Sequence, residues 1–420
     1  MQLLVYILFL AVSVTLLFFN YRLRNTLFTP SSYLILVYIF ITAMQILGSV
    51  SLGYTAATID LLGIILLFLT IAVAADCMGG QLAKRIAFKG TRLQKKYPST
   101  VFKRHEKQIK ITCCVFVAYS LLYFLKTLSI FPNVFFAVQE PFQEIYSGTG
   151  GMFYIRLFLM VATAYFWGCA KLNRENILMG FVCLLPNILT FVKGIIFIPC
   201  LASILLRLRI GDLKLSIKVF LCVVLSGMIV FFAVYLVEMS IYDTSLLWKP
   251  ETYRIIYSKL LNYLIAGIQS FNQNLFSTYY INRFRNGENI TLAPFINLIA
   301  KFGFAESISN VTDIWQDFGY GYNTTVRATS NVNTYIGTLY LYSGVFLGGL
   351  INFFWVFVSS FMDEIFLNRR DFSEALSGLF VAGITLGWFE YYFAHTFWEY
   401  LVIIVMIVNW SLKIRIKRKW

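Results

Sequence analysis

Few side chains in this sequence are of the types that move protons or hold ions in an ordered pattern, and arginine is the one that stands out. Arg254, Arg283, Arg285 and Arg327 share one polar segment, and a guanidinium grips a phosphate through two parallel hydrogen bonds. The bland alternative is solvated loop charge paired with the loop's own carboxylates. Arg156 and Lys193 fall inside or at the tip of apolar runs, where an ionisable group is a functional candidate by default. Lys126, Asp60 and Asp76 belong to the same class, although Lys126 is long enough to snorkel. There are two histidines, His105 among lysines and arginines, and His395 within Glu390-Tyr-Tyr-Phe-Ala-His-Thr-Phe-Trp-Glu399. His395 is either a general base or an interfacial structural histidine, and its aromatic neighbours favour the second. No Walker-type glycine loop, Asp-x-Asp pair or His-Glu-x-x-His occurs, which disfavours ATP, nucleotide-sugar and metal chemistry. No cofactor and no metal is expected.

The elements that must position these residues are membrane helices. The chain has 420 residues, 59% hydrophobic and 13% charged, with a mean hydropathy of +0.72. A soluble domain is about 45–50% apolar and about 25% charged, so this much apolar surface cannot be hidden from water in one core. Runs of about 20 apolar residues recur, each long enough to cross the hydrocarbon layer as a helix. They lie near 2–20, 32–51, 57–79, 111–131, 152–170, 176–191, 194–206, 219–237, 334–358, 375–391 and 397–412. Met1–Asn20 lacks a basic n-region and a small-residue cleavage site, and is read as a retained first span. All seven cysteines lie in or at the edge of these runs and read as small apolar fillers.

The net charge of +15 sits mostly in short segments flanking the runs, where it sets orientation and argues against nucleic acid as a partner. Gln81–Lys110 has ten basic residues against the lone Glu106 and marks the cytoplasmic side. The run Asn176–Leu206 is interrupted by Pro186, Lys193 and Gly194. Reading it as a hairpin of two short spans places Arg207, Arg209, Arg369, Arg370 and the tail Lys413–Lys419 inside. The expected fold is therefore an all-α transmembrane bundle of about eleven spans, N-terminus out and C-terminus in.

Three regions follow: 1–237 with about eight spans, an outer-face loop at 238–333, and 334–420 with about three spans and a basic tail. The loop carries seven basic and seven acidic residues. Within it Ile256, Leu260, Leu264, Ile268, Phe271 and Leu275 recur at helical spacing, with Lys259, Asn262 and Gln269 opposite. An amphipathic helix lying along the membrane surface is expected there. A loop of this length held between spans is more often functional than idle.

Three stretches of this loop and the span after it carry a resemblance. The first is Tyr263-Leu-Ile-Ala-Gly267-Ile-Gln-Ser-Phe271-Asn272. The second is Asn289-Ile-Thr-Leu-Ala-Pro294-Phe-Ile-Asn-Leu-Ile-Ala-Lys301-Phe-Gly303. The third is Asn331-Val-Asn-Thr334-Tyr335-Ile-Gly-Thr-Leu-Tyr340-Leu-Tyr-Ser343-Gly344. In that order, over about 80 residues, they resemble the oligosaccharide repeat-unit polymerases of bacteria, the Wzy type that builds O-antigen and capsule. The family often has Asp before the last glycine, where this chain has Ser343, so no catalytic carboxylate is assigned there.

The resemblance implies an inner-membrane glycosyltransferase that joins glycan repeat units carried on undecaprenyl pyrophosphate, using no metal and no cofactor. The acceptor hydroxyl would attack the anomeric carbon, and undecaprenyl pyrophosphate would leave. Donor and acceptor lipid-linked glycans are the implied partners, with membrane lipids around them and a chain-length regulator and a flippase as further candidates. Arg254, Arg283, Arg285 and Arg327 would form the clamp that takes charge on the departing pyrophosphate. Lys193, Arg156, Tyr263, Asn331, Thr334, Tyr335, Tyr340 and His395 would bind substrate. A polysaccharide ligase and a lipid-linked oligosaccharide flippase are the rival readings. Charge along many spans and short loops throughout would mark the flippase, and an O-acyltransferase would want a catalytic histidine signature that neither histidine has.

Overall fold

A computed structural model describes residues 2–51, 55–90, 99–131, 140–143, 145–146, 150–190, 192–209, 248–310, 314–320, 327–366 and 371–417, with single positions at 211, 228, 231–232, 235–236 and 245. The long helices are α1 (Gln2–Arg24), α2 (Pro30–Ser51), α3 (Ile59–Gly90), α4 (Ser99–Ile130), α5 (Gly151–Ala164, prolonged by a wider turn Tyr165–Cys169), α6 (Arg174–Ile188) and α7 (Lys193–Arg209). The loop region supplies α8 (Pro250–Leu275), α9 (Thr278–Asn286), α10 (Ala293–Ala300) and an antiparallel pair, β1 (Gln316–Tyr320) with β2 (Arg327–Ser330). The chain closes with α11 (Tyr335–Phe366), α12 (Phe372–Thr385) and α13 (Phe397–Lys417). Among the described residues six helices are long and apolar enough to cross a membrane. Among the described residues the protein is all-α apart from that one hairpin, and it is membrane-embedded. The span expected at 219–237 lies mostly outside the described residues.

The chain forms two compact units. The first takes Met1–Gly79, Ile217–Ser360 and Ile384–Thr396. Its helix α8 starts with Pro250, whose fixed φ suits a first helical position. Ile256, Ile268 and Phe271 of the apolar stripe are fully buried. The polar face departs from expectation, because Asn262, Gln269, Asn272 and Asn274 are buried too. Each meets a backbone or amide partner, as a buried amide must. Asn272 Nδ2 donates to Ala56 O at 2.9 Å, and Thr58 Oγ1 donates to Asn272 Oδ1 at 3.0 Å. The Gln269 amide pairs with the Thr55 backbone at 3.0 and 2.8 Å once its ends are assigned by their partners. Asn262 Nδ2 donates to Thr329 O, and Asn274 Nδ2 to Asn333 Oδ1. From Asn262 onward the helix is tied on two faces to the α2–α3 connection and to β2, so the wet face expected opposite the stripe is confined to its first turns, where Glu251, Tyr253, Arg254 and Tyr257 are exposed.

The run expected as one span at 334–358 is two helices. Gly344 joins them with φ 67° and ψ −168°, a backbone region open in practice only to glycine. The chain turns so sharply that a β-carbon on Gly348 would stand 2.6 Å from Leu339 O. In a straight helix those residues would be about 13 Å apart.

The second unit takes Gly80–Ser216, Phe361–Gly383 and Phe397–Trp420. The run Asn176–Leu206 breaks into α6 and α7 as the hairpin reading requires. Asn173 caps α6 by accepting from Asn176 N at 2.8 Å. Phe158 stacks on Phe372 with centroids 5.6 Å apart, and Phe116 meets Phe158 edge-on at 5.2 Å. Gly180 has no β-carbon because the Trp167 indole lies where one would be. Arg207 donates from Nε to Trp167 O at 2.8 Å and from Nη2 to Ala170 O, tying off carbonyls at the end of the α5 extension. Arg209 pairs with Asp363 and, at 3.7 Å, with Glu364. Lys110 bridges Glu106 and Glu175 at 3.0 Å each.

Candidate functional site

The three stretches that carry the resemblance are far apart in sequence and meet in the first unit. On α8, Gly267 lies so close to the connection after α12 that a β-carbon would stand 2.7 Å from Phe389 O and 3.1 Å from Trp388 O. One turn on, Phe271 fills the place of a side chain at Gly337, and its ring lies 6.0 Å from that of Tyr340. Thr291, from the second stretch, shares a hydroxyl contact of 2.6 Å with Ser343, and Asn289 Nδ2 donates to Ser343 Oγ at 3.0 Å. Tyr391 OH donates to Thr291 O at 3.2 Å and accepts from Trp355 Nε1 at 2.8 Å. Glycines at 267 and 337 therefore allow the backbone approaches that bring these pieces together, and a hydroxyl at 343 binds the second stretch to the third.

Tyr263, half-buried, stacks on Phe389 with centroids 5.7 Å apart and planes 26° from parallel. Its hydroxyl lies 3.4 Å from that of Tyr235. Tyr340 and Asn331 are also half-buried. Thr334 and Tyr335 are fully buried. Thr334 Oγ1 accepts from Gly337 N at 3.0 Å and so caps the start of α11, while Tyr335 packs against Tyr391 and Phe393. Both hold the scaffold together, with no face open to a sugar.

The four arginines do not form one cluster. Arg254 is exposed on α8, thirteen residues before Gly267, which is about 20 Å of helix rise. Arg283 and Arg285 are exposed on α9, and Arg285 Nη2 lies 3.9 Å from where a β-carbon on Gly344 would be. Arg327 opens β2, two positions from Thr329, whose carbonyl accepts from Asn262 beside Tyr263. By backbone placement Arg327 is the arginine on the same stretch of α8 as the Tyr263–Phe389 stack. Its side chain lies outside the described part, as do those of Lys193 and His105.

Arg156 and Lys193 belong to the second unit. Arg156 is buried on α5, and Asn187 Nδ2 reaches its carbonyl at 3.5 Å. Lys193 begins α7 just after the turn in which Thr190 Oγ1 donates to Asn187 O at 2.7 Å. Tyr146, close to the Arg156 charge, hydrogen-bonds Pro186 O at 3.3 Å. Arg156 thus sits beneath the tip that Lys193 leaves. Asp60 and Lys126 are exposed. Asp76 is buried and accounted for by Ser31, by Ser360 Oγ at 2.6 Å and by Arg24 Nε at 3.5 Å.

His395 and Glu390 share the connection between α12 and α13. His395 Nδ1 faces Asn310 Nδ2 at 2.9 Å, so the amide donates to a ring nitrogen that carries no proton. Burial pushes His395 down to about 4, which keeps it neutral near pH 7 and fits a structural role. Glu390 is the residue that sequence reasoning passed over. Desolvation pushes its carboxyl up to about 7, and among the described residues it has no hydrogen-bond or ion-pair partner. Its signal in the sequence was a single acid inside an aromatic stretch at the end of an apolar run. Among the described residues no group of three or more His, Cys, Asp or Glu could hold a metal ion.

A family model described as "Family of unknown function (DUF6337)" matches residues 81–418. The chain belongs to this family. Among curated proteins and solved structures, none matches it. The part matched by the DUF6337 model includes α8, Thr291, Ser343, Gly344, Glu390 and His395, whereas the Asp76 ion pair lies just before it.

Proposed function

We propose that this DUF6337 member is a membrane glycosyltransferase that joins lipid-linked oligosaccharide repeat units into a surface polysaccharide, O-antigen or capsule, on the outer face of a bacterial inner membrane. The observation that carries the reading is the meeting of the three resembling stretches, the first against the third at Phe271 and Gly337 and the second against the third at Ser343, with Tyr263 on Phe389 and Gly267 against the last connection. About eleven spans, N-terminus out and C-terminus in, complete the proposal, since that topology puts the basic segments inside and the 238–333 loop outside.

The donor carries its own leaving group, so the reaction needs no nucleotide at the outer face. The protein's work is to bring two lipid-linked glycans together and to stabilise charge on the departing pyrophosphate. The spacing of the arginines divides that work. Arg327, on the strand that meets α8 beside Tyr263, would serve the reacting end, and Arg285 at the Gly344 break, with Arg283 on the same helix, would hold a second anionic group. Arg254 lies too far along α8 to share a phosphate with either. Half-buried Tyr263 and Tyr340 are the rings available for stacking on sugar.

Deleting the gene in its host and separating surface polysaccharide on a gel tests the reading. The ladder should collapse to core plus one repeat unit, wild-type protein should restore it, and Arg327→Ala at equal protein level should not. Loss of even the single repeat would favour a flippase, and an unchanged ladder would sink the proposal.

A further inference from the structure

The carboxyl of Glu390 is without a proposed role in the reading above, and its setting differs from those of Asp76 and Asp363. Asp76 has two serines and Arg24, and Asp363 has Arg209. Glu390 has none of these. It follows directly on Trp388 and Phe389, whose carbonyls rest on Gly267, so α8 fixes the backbone that presents it. Phe389 stacks on half-buried Tyr263, so the residue just before Glu390 belongs to an aromatic stack of the site. The titratable group that feels it is Tyr392, which also feels Tyr263. His395, five residues on, is neutral and occupied with Asn310. No described cation acts on Glu390, and only the protein's exclusion of water disfavours its charge.

We propose that Glu390 is the proton acceptor for the sugar hydroxyl in the polymerase reaction, an inference that rests on the polymerase reading. The hydroxyl oxygen of the acceptor forms a bond to the anomeric carbon of the donor as its proton passes to the Glu390 carboxylate. The bond from the anomeric carbon to the phosphate oxygen breaks, and the electron pair leaves with undecaprenyl pyrophosphate. Glu390, now a neutral acid, releases the proton to water and is ready again. A desolvated carboxylate is a stronger base than one in water, and a base that titrates near the working pH suits this step. The fixed backbone supplies position, and partial exposure leaves the side chain reachable.

The test uses membranes from the gene-deleted host carrying the full chain, supplied with undecaprenyl-pyrophosphate-linked repeat units extracted from the same deletion strain. Wild-type polymer formation should rise with pH to a plateau above about pH 7. Glu390→Gln should lower turnover about 100-fold or more and remove the rise, while the linked unit is still retained. A Glu390→Gln protein with wild-type turnover and the same pH rise would overturn the role and leave the polymerase reading standing. Wild-type membranes that form no polymer would overturn the polymerase reading itself. If Glu390→Gln fails to accumulate, Glu390→Asp decides: a displaced pH rise supports the role, and an unchanged one overturns it.

Discussion

The two units treat buried charge differently. In the second, Arg209 faces two carboxylates, Lys110 faces two, and Arg207 closes the carbonyl end of the α5 extension. In the first, the buried ion pair seen is Arg24 with Asp76, and the connection between α12 and α13 keeps a carboxyl, Glu390, with no counter-charge among the described residues. A cation with two carboxylates tolerates the loss of one. A single buried pair does not, because the surviving charge is left desolvated. The contrast separates charge that holds a fold together from charge left available for chemistry.

The largest effect should come from Asp76→Ala. Removing the carboxylate from Arg24, at 1% side-chain exposure, should cost about 3–5 kcal/mol. Asp363→Ala should cost clearly less, since Arg209 keeps Glu364 at 3.7 Å. Thermal unfolding of both variants in detergent, with wild type alongside, would show the order, and equal losses would break the comparison. Next is Gly344→Ala, where φ 67° with ψ −168° penalises any side chain by about 1–3 kcal/mol. The matching change Gly211→Ala, at φ 83°, sits in the second unit in open space. If the site depends on the break in α11, Gly344→Ala should also abolish polymer formation at protein levels where Gly211→Ala does not.

The smallest effect concerns pH. His395 binds fewer protons folded than unfolded between pH 6.5 and about 4, so its contribution to stability is lost as pH falls through that window. Glu390 acts with the opposite sign. It stays protonated in the fold up to about pH 7, and this favours the fold less and less as pH rises from the ordinary carboxylate range to 7. Melting temperatures from pH 4 to 7.5 should show a shallower acid loss for His395→Gln, and Glu390→Gln should remove the opposing slope. Two superimposable wild-type and His395→Gln profiles would show that His395 takes up its proton in the fold as it does in the unfolded chain.

Much of the fold was legible before any coordinates. Apolar runs of about span length translate into helices because a backbone in lipid must satisfy its own hydrogen bonds, and ten of the eleven expected runs overlap a helix with described bounds. The stop at Leu189 in the 176–206 run was readable from Pro186, Lys193 and Gly194. The interior of the polar loop was not. Periodicity found α8 and its apolar stripe, but Asn262, Gln269, Asn272 and Asn274 are the same letters whether they meet water or buried amide partners. Likewise Thr334 and Tyr335 read as ligand-facing residues and are in fact a helix cap and a packed ring.

By itself the sequence determined that this chain is membrane-embedded and helical, where its cations concentrate, and which stretches belong together by resemblance. Those properties depend on composition and short-range spacing. Tertiary structure alone decided that the arginines are spread over α8, α9 and β2, that Gly344 breaks a helix, and that Glu390, next to Phe389 of the Tyr263 stack, has no counter-charge among the described residues. These depend on which groups approach through space and on how much water that approach removes, and neither quantity is written in the order of residues.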